Sequence, residues 1–154
     1  MSELRDRITG ELKAAMKAQD RRKTCTLRLV NAAIKDRDIA ARSAGKDSIA
    51  DGEVMALLCK MVNQRQESKV TYEEAGRLDL AEQEEREVEI ISEFLPRQLD
   101  ASEIKLACQN AVAETGAAEM KDMGRAMSVL KQQYPGQMDF ARASEEVKSL
   151  LATQ

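Results

Sequence analysis

Lys121 and Arg125, four apart in the run "MKDMGRAM", are the side chains whose type and spacing most directly suggest a ligand. On an α-helix that interval sets two cations on one face, where they can hold a phosphate or a stretch of nucleic-acid backbone. Unpaired N–H groups at the start of such a helix would add to the attraction. Lys131 adds a third cation nearby, and Arg21, Arg22, Lys23 and Arg28 form a second basic cluster that continues into Lys35 and Arg37. Lys121, Arg125, Lys131, Arg21, Arg22, Lys23 and Arg28 are therefore the candidate RNA-binding residues. A packing role competes for the same stretch. Met120, Met123, Met127 and Leu130 recur at three- and four-residue intervals, as a buried stripe would, and Gly124 is expected to let a neighbouring backbone approach. Both roles fit together if Met and Gly point inward and the basic pair outward.

Other chemistry is narrowed by what is missing. The chain has no histidine, which removes Ser-His-Asp and Cys-His arrangements and the usual transition-metal sites. Cys25, Cys59 and Cys108 are odd in number and widely separated, so they read as small apolar groups and not as a disulfide framework or a zinc site. The carboxylates of "EQEERE" lie on one helix, which offers only i, i+3 and i+4 groups and no converging ligand set for a divalent ion. No phosphate loop of the form GxxxxGK[ST] occurs. No catalytic residue, metal or cofactor is expected. Arg65, in "NQRQES" with Gln64 and Ser68, is expected to be an internal ion-pair partner, with Glu84 and Glu87 as its counter-charges.

The elements that would position these groups are helical from end to end, and the predicted fold class is all-α. Ser2 can cap a first helix with Leu4, Ile8, Leu12 and Met16 as its apolar stripe. Asp20 can start a second, in which Leu27, Val30 and Ile34 line one face. After the loop "SAGKDSIADGE", Asp51 can cap a third helix ending near Gly76, and Asp79 a fourth that Pro96 stops. Asp100 with Glu103 resembles a capping box for a fifth helix closed by Gly116; two short helices follow, separated by "YPGQMD". The proline and the change of pattern near it predict an N-terminal bundle of about four helices, residues 1–96, and a three-helix unit, residues 97–154.

Charge is uneven along this plan. Residues 17–46 carry nine Lys or Arg against three Asp or Glu, whereas residues 73–93 carry two against nine. These segments read either as mutually complementary helix surfaces or as an RNA-facing basic helix with an acidic back. Aromatic residues are only 3% and Trp is absent, so a contact with nucleic acid would be electrostatic and not a base-stacking platform. The opening "MSELRDRITG" has charges where a secretory signal needs an apolar run, and no stretch approaches the roughly 18 apolar residues of a membrane span. A cytoplasmic location is the resulting expectation, with no membrane partner.

Three segments, "LRLVNAAIKD", "EEAGRLDLAEQEEREVEIISEFLPRQL" and "MKDMGRAM" after "ETGA", resemble the GatB/YqeY family in content and order over nearly the whole chain. The resemblance implies a small all-helical protein whose C-terminal part is similar to the tail domain of the GatB subunit of the glutamine-dependent aspartyl/glutamyl-tRNA amidotransferase, a module that helps hold the tRNA. It implies a tRNA-binding or tRNA-enzyme accessory protein, noncatalytic on its own, with tRNA or a tRNA-processing enzyme as partner. Two alternatives stay open: participation in a complex with carbon-nitrogen ligase activity that uses glutamine as amido-N donor, and a helical protein-interaction adaptor without RNA. One departure stands out. Where the family commonly has G-[RK]-x-D, this chain reads Gly136, Gln137, Met138, Asp139, without the basic residue.

Overall fold

The computed structural model describes residues 3–152, so Ser2 and its expected cap lie outside the described residues. The chain is all-α: α1 (Glu3–Lys17), α2 (Arg21–Ser43), α3 (Asp51–Glu74), α4 (Leu78–Ser92), α5 (Ala101–Thr115), α6 (Met123–Gln133) and α7 (Phe140–Ala152), with a 3-10 turn at Met120–Asp122. It divides into two compact units, Met1–Pro96 and Arg97–Gln154.

In the N-terminal unit, Ile8, Leu27, Val30, Val54, Leu58 and Ile91 are buried completely and draw all four helices onto one core. Fully burying a side chain of this kind contributes about 1.5–3 kcal/mol. The α1 stripe follows the expected line only in part. Leu4 and Ile8 are buried, but Met16 is 49% exposed and Ala15 takes its place. A four-residue step covers about 400°, so three steps carry Met16 roughly 120° off the line set by Leu4.

A polar cluster ties the same unit together. Asp38 sits on the inner face of α2, 8% exposed. Arg5 of α1 meets it with two hydrogen bonds, of 2.9 and 2.5 Å. The Asp38 Oδ1 also accepts the N–H of Ile49 at 2.9 Å, and Arg5 donates to the Ile49 carbonyl at 3.2 Å. The Arg5 bond, ahead of the Ile49 N–H, holds the Asp38 carboxyl below its usual range against the cost of burial. Between α3 and α4, Arg65 Nε lies 3.5 Å from Glu87 Oε2, close enough for Coulombic attraction yet without a hydrogen-bond partner. Burial, then the Glu87 charge, pushes the Glu84 carboxyl up.

Helix starts differ from the sequence reading in two places. Asp20 caps α2 by accepting the Lys23 N–H, as expected. The N-cap of α3, however, is Ala50; Asp51 falls inside the first turn, and its carboxylate accepts the Leu4 N–H at 3.4 Å. Asp79 likewise lies inside α4, where it pairs with Arg77.

The C-terminal unit has its own core, with Cys108, Ala126, Leu130, Ala143 and Val147 fully buried. Asp100 and Glu103 form the capping box at the start of α5, and Gly116, at φ 66°, closes the helix in the left-handed region that glycine tolerates. The segment before α5 is fastened to the turn before α7. Leu99 N donates to Gln137 O at 2.9 Å, Gln98 Nε2 to Gly136 O at 2.6 Å, and Gln137 Nε2 to Arg97 O at 3.3 Å. Gln137, in place of the family's basic residue, therefore bonds within the fold.

The methionine stripe holds only from Met123 onward. Met127 and Leu130 are buried, but Met120 is 45% exposed, because the chain there is a 3-10 turn and the α-helical spacing does not apply. Gly124 is exposed, and a Cβ added to it would meet nothing within 4 Å. It is no close-packing contact.

Three outcomes follow from this packing. Asp38→Asn is expected to lower stability by about 3 kcal/mol, the low end for breaking a buried pair because Arg5 keeps a quarter of its side chain exposed. The folded-state pKa of Asp38 is lowered, so its contribution is present above the unfolded value of about 3.9 and lost as pH falls through the folded one. Denaturant melts of the two proteins should accordingly converge as pH falls below about 4; a constant gap would show that Asp38 does not titrate in the pair. Gly124→Ala should raise stability by about 0.5–1 kcal/mol through helix propensity, and a lowered melting temperature would restore the close-approach role. We also propose that residues 97–154 fold alone, giving a helical circular dichroism spectrum and a cooperative melt; a fragment without either would show that its core needs the rest of the chain.

Candidate nucleic-acid interface

Asp122 decides the geometry of the "KDMG" segment. Its Oδ2 accepts the N–H groups of Ala118 and Glu119 at 3.0 and 3.1 Å, and its Oδ1 binds Arg125 at 2.7 Å. The two backbone bonds, then Arg125, hold the Asp122 carboxyl down at about 2. This anchoring shapes the turn between α5 and α6, and α6 begins only at Met123.

Lys121 lies in the 3-10 turn while Arg125 lies on the helix, so the four-residue spacing of a continuous α-helix does not apply between them. Each is also engaged by a carboxylate, Lys121 with Glu119 at 3.2 Å and Arg125 with Asp122. Lys131, exposed on the last turn of α6, is six residues beyond Arg125 and so about 120° around the helix from it. All three cations are exposed.

The α2 cluster separates differently. Residues 21, 22 and 23 point in three directions about 100° apart. Lys23 bridges Glu11 at 3.0 Å and Glu93 at 3.5 Å. Arg22 faces a depression lined also by Glu82, Glu85 and Glu89 of α4, so part of the basic segment does complement the acidic one. Arg21 and Arg28 instead share one face, seven residues apart, beside a surface depression of ≈ 500 Å³ that Gln19, Thr24 and Cys25 also line. Among the described residues neither of them makes an ion pair.

Electrostatics sharpens that contrast. The start of an α-helix carries a partial positive charge, which favours acidic residues there. The first turn of α2 has none, and holds Arg21, Arg22 and Lys23 instead. Lys23 is paired with Glu11 and Glu93, and Arg22 lies beside the α4 carboxylates without an ion pair among the described residues. Arg21 has neither, so it adds to the positive field of a helix start that the Asp20 carboxylate caps.

The thiols offer little beside this surface. Cys59 and Cys108 are buried, and burial, then Glu146, pushes the Cys108 thiol up to about 11. What the sequence reading missed is the anchoring role of Asp122, whose local signal was the capping-box spacing from Glu119 to Asp122 at the start of the 3-10 turn.

Comparison with known proteins places the chain. The model of the Yqey-like protein family matches residues 5–151. The chain is also similar to proteins named "altered inheritance of mitochondria protein 41, mitochondrial". In Vanderwaltozyma polyspora the identity is 29% over 123 residues, 75% of this chain and 64% of the relative. In Lachancea thermotolerans it is 34% over 99 residues, 64% and 51% of the two chains, and in Eremothecium gossypii 32% over 102 residues, 66% and 54%. The chain thus spans about half to two thirds of the length of these relatives. Their names overturn the cytoplasmic expectation, which had rested on an argument that excludes a secretory signal only. With a family model covering all but the ends of the sequence, this chain belongs to the Yqey-like protein family.

Proposed function

We propose that this protein is an RNA-binding accessory factor, noncatalytic on its own, whose ligand is tRNA or a tRNA held by a processing enzyme. The observation that carries the reading is the pair of exposed arginines Arg21 and Arg28 on one face of α2, neither in an ion pair among the described residues, although Asp20 caps the helix start. Arg21 stands in the first helical turn, exposed and without an ion pair, and Arg28 repeats it two turns on. Cations at that end of a helix oppose the macrodipole, by about 0.3–1 kcal/mol each. A local arrangement that costs stability without a partner inside the fold is one that a ligand of opposite charge would satisfy. A polyanion supplies that charge at every phosphate.

The same reading moves the RNA contact away from Lys121 and Arg125. Glu119 and Asp122 pair with those side chains, and a phosphate would have to compete with both carboxylates, although such exposed pairs are weak. The relatives' names speak of mitochondrial inheritance and not of RNA, so the tRNA rests on the charge pattern together with the resemblance of the sequence to the GatB/YqeY group.

The purified full chain is expected to bind a tRNA transcript at low salt, with log affinity falling linearly against log salt at a slope of about −2 to −4 for three or four phosphate contacts. Supplied with glutamine, ATP, magnesium and misacylated tRNA, it should form no amidated product. Absence of binding even at about 50 mM salt would remove the RNA reading and bring the adaptor role forward. Turnover that survives purification would replace the accessory role with an enzymatic one.

A further inference from the structure

We propose that the outward face of α2 is a docking surface for the phosphate backbone of folded RNA along its whole length; the proposal rests on the RNA-binding reading and gives it a surface. Arg21, Arg28, Lys35 and Arg42 recur at seven-residue intervals, and all four are exposed. Seven residues are almost two full turns, so each cation lies only about 20° around the axis from the one before, and the row runs for about 31 Å. Midway between them stand Cys25, Ala32 and Ile39, also seven apart, exposed and uncharged.

Of the carboxylates of α2, Asp38 is buried against Arg5, and Asp36, about 100° around from Lys35 and about 40° from Ala32, borders this face. Among the described residues Arg21, Arg28 and Lys35 make no ion pair, while Arg42 closes the row by donating from Nε to the Asp47 carbonyl at 3.4 Å. Thr26, Leu27, Val30, Ile34 and Asp38 are fixed in the core, so α2 cannot turn to hide the row, although its slow drift brings Arg42 to about 40° from Asp38.

Spacing tells what kind of ligand fits. Neighbouring cations are about 10 Å apart along the axis, close to the screening length in physiological salt, so they repel each other weakly in the free protein. A polyanion lying along the row would meet each at contact distance and gain from all of them. The face has no aromatic side chain on which a base could stack, which favours sequence-independent contact with phosphates. An anionic membrane is the rival occupant. Insertion needs bulky apolar groups between the cations; Cys25 and Ala32 are small, and of the three intervening residues Ile39 alone is large.

The test compares tRNA binding across a salt series for the full chain, for Arg21→Gln/Arg28→Gln/Lys35→Gln, and for Lys121→Gln/Arg125→Gln/Lys131→Gln. The α2 triple variant should keep its melting temperature, lose about tenfold or more in affinity at low salt, and show a slope flatter by up to about 3, whereas the second triple variant binds nearly as the parent does. Arg28→Gln alone, a milder change, should flatten the slope by up to about 1. An α2 triple variant that binds with the parent's affinity and slope overturns this surface while leaving RNA binding in place. A parent protein that binds no tRNA, yet binds phosphatidylserine-containing vesicles through these three residues, overturns both the RNA reading and this occupant.

Discussion

A carboxylate with almost no access to water must find its partners inside the protein, and Asp38 finds them in two other segments at once. Arg5 reaches it from α1 and the Ile49 N–H from just before α3, so α1, α2 and the connection that follows α2 meet at one group. The arginine fork is planar and rigid, so it accepts the carboxylate in few orientations. This fixes the height of α1 along α2, whereas the apolar contacts of Ile8, Leu27 and Val30 would tolerate some sliding. A well-packed apolar replacement could match the cluster in stability. It would lack the directional bonds that define the register.

That constraint reaches the opposite side of the helix. With Asp38, Ile34, Val30 and Leu27 held inward, the rotation of α2 about its axis is set, and the positions seven apart from Arg21 face outward as a consequence. Basic residues on the same helix that face other elements are consumed by the fold, as Lys23 is by Glu11 and Glu93. The separation into structural and outward cations follows from helix geometry. It does not follow from local charge density, which is highest at Arg21, Arg22 and Lys23 taken together.

How much of this was legible depended on how far apart the interacting residues lie. The all-helical class, the Asp20 cap and the Asp100–Glu103 box depend on neighbours in sequence, and the residues announced them. Arg65 with Glu87 was readable too, since both lie on the inner faces of adjacent helices. Asp38 was not, because its partner is 33 positions away and "KDRDIAARS" looks like a solvated surface. The Lys121–Arg125 spacing was less legible for a different reason. An i, i+4 argument presumes an unbroken helix, and the Asp122 side chain ends that presumption by bonding the N–H groups of Ala118 and Glu119. The seven-residue interval of the α2 cations stood in the sequence all along, but without the structure nothing separated it from the Arg22 and Lys23 positions beside it.

Nature's placement of the three cysteines has a practical side. Cys59 and Cys108 are enclosed by the cores of their units, while Cys25 stands exposed between Arg21 and Arg28. A thiol-directed fluorophore or spin label would therefore attach at one position in the folded chain, with no engineering of the other two. That position lies in the middle of the basic face. The native sequence carries an address for a spectroscopic reporter beside the surface on which a ligand's arrival would be felt, and the rate of its modification would measure how often that surface is open to solvent.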